Sequence, residues 1–195
     1  MYQIFIAEDE PAAMKHLCTL VKLKCPQFEI IGCADNGKEA LEQMDRLQPD
    51  VLITDVKMPV MDGISLVEKV KEKYPRIFSV IISGYQEFDY ARAAIRAGVC
   101  DYILKPVRPS TFQESMRILQ GRLDELYYTI RNDMLQQMCR GTGLKEKQYF
   151  RRVFSSETYY VALLRKNSLP RRFVRRRPGE SKLILRNFLK KSPAI

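Results

Sequence analysis

Val51-Leu52-Ile53-Thr54-Asp55 is a nearly continuous apolar run that ends in a carboxylate. Runs of this kind suit a parallel strand covered on both faces, because neither face has to meet water. On the N-terminal side, Ala40, Leu41, Met44 and Leu47 recur at helical spacing after the Asn36-Gly37 turn. Before them, Phe28-Glu29-Ile30-Ile31-Gly32-Cys33 reads as a strand. Pro11 opens a helix with Met14, Leu17, Cys18 and Val21 on one face, and Ile4-Phe5-Ile6-Ala7 is a first short strand that runs into Glu8-Asp9-Glu10. On the C-terminal side, Gly63 precedes a helix carrying Ile64, Val67 and Val70. Phe78-Ser79-Val80-Ile81-Ile82 is a fourth strand, residues 87–97 are an alanine-rich helix, and Asp101-Tyr102-Ile103-Leu104 is a fifth strand. Strands alternating with helices in this way predict an α/β fold, a five-stranded parallel sheet with helices on both faces.

A further helix is expected from about Ser110. Phe112, Met116, Leu119, Leu123, Leu126 and Ile130 follow one another at steps of four and three, a heptad seam. The first of these residues have the sheet to cover. Those beyond Leu123 have none left and call for another helix, so homodimerisation through 112–138 is the candidate. Gly121 inside the helix costs about 1 kcal/mol relative to alanine. The predicted division is a first domain over 1–125, an extended linker helix over 110–140, and an incomplete output region with a basic tail over 141–195. Thr158 to Leu164 reads as an additional strand without a partner, and the residues after it as a partial or disordered segment. No helix-turn-helix pattern follows residue 140.

The 195 residues, 46% of them apolar, suffice for one ordinary domain and an extension. The formal net charge of +10 is unevenly placed. Residues 1–125 hold 16 basic against 19 acidic side chains, whereas residues 165–195 hold 11 against 1. Arg171-Arg172, Arg175-Arg176-Arg177 and Lys190-Lys191 would give salt-sensitive, non-specific contact with DNA. No apolar stretch approaches a membrane span, and the N-terminus lacks the basic start of an export signal, so a cytoplasmic location is expected. Cys18, Cys25, Cys33, Cys100 and Cys139 form no Cys-x-x-Cys pair, and the single His16 excludes a histidine metal cluster. No glycine-rich phosphate loop is present, which disfavours nucleotide binding.

The chemistry-bearing residues gather at the carboxyl ends of the expected strands, where open parallel sheets bind their ligands. Strand one ends in Glu8-Asp9, strand three in Asp55, strand four in Ser83, and strand five runs into Lys105-Pro106. Carboxylates crowded on one rim repel unless a hard cation neutralises them, and Mg²⁺ takes carboxylate oxygens together with phosphate oxygens and water. Asp55 is the natural nucleophile towards a phosphoryl group, with Lys105 and Ser83 placed to hold the other oxygens.

Glu8-Asp9-Glu10, Asp55-Val56-Lys57-Met58-Pro59 with Asp62-Gly63, Ser83-Gly84-Tyr85 and Asp101-Tyr102-Ile103-Leu104-Lys105-Pro106 resemble the receiver domains of two-component response regulators. The resemblance implies a CheY-like fold of strand order 2-1-3-4-5 and a phosphoacceptor, Asp55, loaded by a sensor histidine kinase. It implies Mg²⁺ held by Asp9, Asp55 and the carbonyl of Lys57, with Glu8 assisting. Lys105 would pair with the phosphoryl group, the Lys105–Pro106 bond would be cis, and Ser83 and Tyr102 would form the switch pair. Glu8 stands where Asp is commoner. The run Ser83 to Ala91 resembles the subgroup that precedes an AraC-type helix-turn-helix output, and transcription is the expected process. The chain is too short for such an output, which makes a shortened or frame-shifted relative the expectation. A haloacid-dehalogenase-like phosphatase is disfavoured, since its second Asp would fall at Lys57, so an enzyme acting on separate substrates is not expected.

Overall fold

The computed structural model describes residues 1–84, 88–140, 149–154, 160–161 and 184–185. They fall into two compact units, Met1–Asp124 and a second beginning at Glu125. In the first, strands β1 (Tyr2–Ala7), β2 (Phe28–Ala34), β3 (Val51–Asp55), β4 (Phe78–Ser83) and β5 (Asp101–Leu104) form one sheet of order β2-β1-β3-β4-β5. Each neighbouring pair is parallel. Helices α1 (Pro11–Lys24), α2 (Gly37–Leu47), α3 (Gly63–Lys73) and α4 (Phe88–Ala97) alternate with the strands, and α5 (Pro109–Arg140) follows β5. This is the CheY-like architecture.

The local causes are visible at the helix starts. Pro11 occupies the first turn of α1, where its missing N–H costs nothing. Asn36 caps α2 by accepting from the Glu39 N–H at 2.9 Å, and Asp62 caps α3 by accepting from the Ser65 N–H at 2.8 Å. All five residues of β3 are buried, as its unbroken apolar character requires. Phe5, Leu52, Leu66, Val67 and Ile81 belong to one hydrophobic core of the first unit, with Tyr90 and Tyr102 packed against it as partly buried rings. On α1 the buried residues are Leu17, Leu20 and Val21, so Leu20 replaces Met14 and Cys18 in the buried stripe.

Register sets the rim. Ala7 lies beside Thr54, Asp55 beside Ile82, and Ser83 beside Leu104. The residues that follow these strand ends therefore meet at one edge.

In the second unit, the C-terminal part of α5 packs against α6 (Phe150–Val153). Ile130, Met134 and Phe154 are its buried centre, flanked by Leu126, Met138, Tyr149 and Phe150. Tyr127 meets Tyr149 edge-on at 6.3 Å, and the Phe150 and Phe154 rings lie 5.1 Å apart. The seam residues expected to need a second helix are thus covered by a segment of the same chain. A second correction concerns the strand expected alone over 158–164. Its described part, β6 (Tyr160–Val161), pairs in parallel with β7 (Ile184–Leu185). Two apolar residues inside a basic stretch are too few to show a period. The remaining residues of 141–195 lie outside the described ones.

Candidate functional site

Four strand ends converge on one acidic rim. Glu8 follows β1 and is buried, its side chain fully enclosed, whereas the next residue, Asp9, is exposed. Asp55 closes β3 at 8% exposure. Glu8, Asp9 and Asp55 each offer a carboxylate oxygen within 4.8 Å of the others. Lys105, following β5, reaches across the rim: its Nζ donates to Asp55 Oδ2 at 2.7 Å and to Glu8 Oε1 at 2.9 Å. Its backbone N–H donates to the Ser83 carbonyl at 2.7 Å, and the Lys105–Pro106 peptide is cis. Ser83 is fully buried at the end of β4.

The electrostatics are unbalanced. Burial pushes the Glu8 carboxyl above its ordinary range; the Lys105 hydrogen bond opposes this and the Asp55 charge adds to it. For Lys105, burial works against the charged form, but hydrogen bonds to Asp55 and Glu8 outweigh it and raise the ammonium above its ordinary value. The shared contact lowers one partner and raises the other, as an ion pair must. On Glu8, enclosure prevails over it. Three carboxylates against one ammonium leave two negative charges, the amount a divalent cation carries. Glu8 Oε2 is buried without a hydrogen-bond partner. An orphaned anionic oxygen beside two further carboxylates is a donor set that fits a hard, oxygen-preferring cation such as Mg²⁺.

The loop after β3 explains why Asp62-Gly63 accompanies the acceptor strand. The Gly63 N–H donates to the Val56 carbonyl at 2.9 Å. A β-carbon on Gly63 would run into the Asp55 carbonyl oxygen and stand 2.9 Å from both the Asp55 carbonyl carbon and Thr54 Oγ1. Only glycine allows α3 to start this close to the strand end. Asp55 Oδ1 accepts from the Val56 N–H at 2.6 Å, which fixes the carboxylate's orientation. Val60 has φ 66° and is 81% exposed, and the Met61 N–H to Pro59 carbonyl bond of 2.7 Å closes a tight turn around it. A β-branched residue in the left-handed region is a strained position, and such strain concentrates beside functional sites.

A family profile described as "Response regulator receiver domain" matches residues 4–117. The chain belongs to the response regulator receiver family. Among curated proteins it is similar to the transcriptional regulatory protein YesN of Bacillus subtilis, 37% identical over 63% of this chain and 33% of that protein. It is also similar to a response regulatory protein of Staphylococcus epidermidis, 32% identical over 68% of this chain and 52% of that one. The chain thus spans a third to about half the length of these relatives. Among solved structures it is similar to the receiver domain of AraT, a response regulator from Geobacillus stearothermophilus. That match has 35% identity and a TM-score of 0.60, covering 64% of this chain and 96% of that one.

Within this receiver, Glu8, Asp9, Asp55 and Lys105 come together, and Ser83 ends the strand next to β3. Tyr102 is partly buried in β5 beside Ile81, packed on the core. Two contacts escaped sequence reasoning. One is the double grip of Lys105, for which the longer reach of Glu8 relative to Asp was the available signal. The other is the placement of the Lys57 ammonium over the Tyr90 ring, 5.8 Å from its centroid. Elsewhere the bland readings fit: His16 is exposed and its Nε2 donates to the Val107 carbonyl at 3.3 Å. Burial, followed by the neighbouring Cys18 thiol, pushes the Cys33 thiol up to about 11, keeping it protonated at neutral pH. Among the described residues no helix is long and apolar enough to cross a membrane.

Proposed function

We propose that this chain is a phosphorylatable switch in which Asp55 takes a phosphoryl group from a sensor histidine kinase in the cytoplasm and thereby controls transcription. The observation that carries the reading is the geometry around Asp55. A nearly buried carboxylate at a strand end is held by Lys105, beside a fully enclosed Glu8 with one oxygen unpartnered. Asp9, Asp55 and the Lys57 carbonyl would hold Mg²⁺, with Glu8 assisting. Bound there, the ion would neutralise charge on the phosphoryl oxygens.

The protein's own contribution is positioning. The Val56 N–H fixes one Asp55 oxygen and Lys105 the other, so the carboxylate waits in one orientation. Its oxygen forms the new O–P bond while the P–N bond to the kinase imidazole breaks, and the imidazole keeps the electron pair. Lys105 follows the transferred charge, and the Ser83 hydroxyl binds a phosphoryl oxygen. Movement of Ser83 opens room for Tyr102, which carries the change to the face of α4 and β5. The chain is a phosphoacceptor rather than an enzyme with a separate substrate. Control of a transcriptional output completes the proposal. The relatives described as transcriptional and response regulatory proteins support it.

Acetyl phosphate with Mg²⁺ tests the core of this reading. Intact mass should rise by one phosphoryl group in the wild type and stay unchanged in Asp55→Ala. Equal labelling of the variant would remove Asp55 from the role.

A further inference from the structure

Lys57 lies two residues beyond Asp55 in the loop leaving β3, and its side chain is exposed. Its ammonium sits 5.8 Å from the centroid of the Tyr90 ring. Tyr90 belongs to α4 and packs, like Tyr102, against the core that holds Phe5, Leu52 and Ile81. A fixed positive charge on the acceptor loop therefore rests on the aromatic face of the helix expected to move. On a solvated surface such an attraction is modest, and a nearby anion readily exceeds it.

Charge at the rim says when that anion appears. Three carboxylates and Lys105 leave two negative charges, which a divalent cation closes. A phosphorylated side chain carries about −1.5 to −2 charges, up to one more than the carboxylate it replaces. With the cation and Lys105 in place, about half to one negative charge then remains. Lys57 is the cation nearest along the chain, and its four-carbon stem lets the ammonium travel without moving the backbone.

Resting on the reading of Asp55 as acceptor, we propose that Lys57 is a second cation for the phosphoryl group, parked on Tyr90 in the unphosphorylated protein. Phosphorylation draws the ammonium off the ring onto the phosphoryl oxygens and so releases α4 from the acceptor loop. This route runs beside the Ser83–Tyr102 route and differs in kind, since a charge carries it rather than a hydroxyl. It gives the two variants opposite signs. Loss of the cation weakens phosphoryl binding, whereas loss of the ring strengthens it by removing a competitor for the same cation.

The experiment titrates the full chain with beryllium trifluoride, a stable stand-in for the phosphoryl group, at saturating Mg²⁺. Lys57→Met should bind about two- to fivefold more weakly, the range for one solvent-screened charge pair. Tyr90→Leu should bind about twofold more tightly. The double variant should match Lys57→Met. In the wild type, the NMR resonances of the Lys57 ε-methylene protons should move downfield as they leave the ring, a readout that needs no Tyr90 variant to fold. Binding by Lys57→Met equal to wild type, or Lys57 resonances that do not move, overturns the inference while leaving the acceptor reading intact. No binding by the wild type, or equal binding by Asp55→Asn, overturns both.

Discussion

Replacing Gly63 by alanine tests how tightly the acceptor loop is built. The new methyl would collide with the backbone of Asp55 itself: it would run into the carbonyl oxygen and stand 2.9 Å from the carbonyl carbon. Relaxed contacts between such atoms lie at about 3.5–4.0 Å. A flexible side chain could swing away, but a carbonyl in a fully buried strand cannot, so the start of α3 must move off β3. That movement breaks the 2.9 Å bond from the Gly63 N–H to the Val56 carbonyl. Overpacking costs about 1–3 kcal/mol, and a buried backbone pair left unsatisfied adds about 1–3 kcal/mol. Urea unfolding followed by far-UV circular dichroism should therefore show Gly63→Ala destabilised by about 2–6 kcal/mol. Phosphoryl uptake should fall with it, because Asp55 moves. Gly121→Ala is the internal control: nothing lies within 4 Å of its β-carbon on α5, so it should gain about 0.5–1 kcal/mol. A Gly63→Ala protein within 1 kcal/mol of the wild type and fully phosphorylatable would refute the reasoning.

Glu8→Gln should raise the melting temperature without Mg²⁺ and weaken Mg²⁺ binding by about tenfold or more, because enclosure makes the charge on Glu8 costly and useful only to a cation; calorimetry checks both, and a lowered melting temperature would contradict it. Lys105 is held above its ordinary value of 10.5, so its contribution is complete below that pH and is lost as the pH rises through the higher folded value. Stability measured between pH 9 and 12 should fall more steeply for the wild type than for Lys105→Met, and parallel curves would count against the ion pairs. Phe154→Ala should cost the second unit about 3–5 kcal/mol of local stability. Hydrogen exchange should then speed up at residues 130–138 and stay unchanged in β1 to β5; protection retained at Ile130 and Met134 would show that α6 does not cover them.

The sheet and its rim were legible because their signals are local. Val51 to Asp55 suits a strand covered on both faces, and its alternation with helical stretches places the strand ends at Glu8, Asp55, Ser83 and Lys105 on one edge. Distances along side chains were not legible. Lys105 reaches Glu8 as well as Asp55 because glutamate is one methylene longer than aspartate, a detail that matters only once β1 and β5 stand on either side of β3 and β4. The seam past Leu123 was read correctly as needing a cover, but not that residues 149–154 supply it. A helix of four residues has no period to read, and Phe150 and Phe154 gain meaning only from the groove they enter. The pairing of Tyr160–Val161 with Ile184–Leu185 was invisible for the same reason.

Lys105 is 50 residues from Asp55 and 97 from Glu8, whereas Asp55 arrives on a strand that pairs directly with the one ending before Glu8. During synthesis the acidic half of the rim can therefore assemble while Lys105, the ammonium that binds both Asp55 and Glu8, is still to be made. A nascent sheet of β1, β2 and β3 would hold its carboxylates in mutual repulsion, and the docking of β5 with Lys105 behind it relieves part of that penalty. The lysine that serves the finished site thus also acts as its closing latch, rewarding completion of the domain and penalising any product that stops short of residue 105.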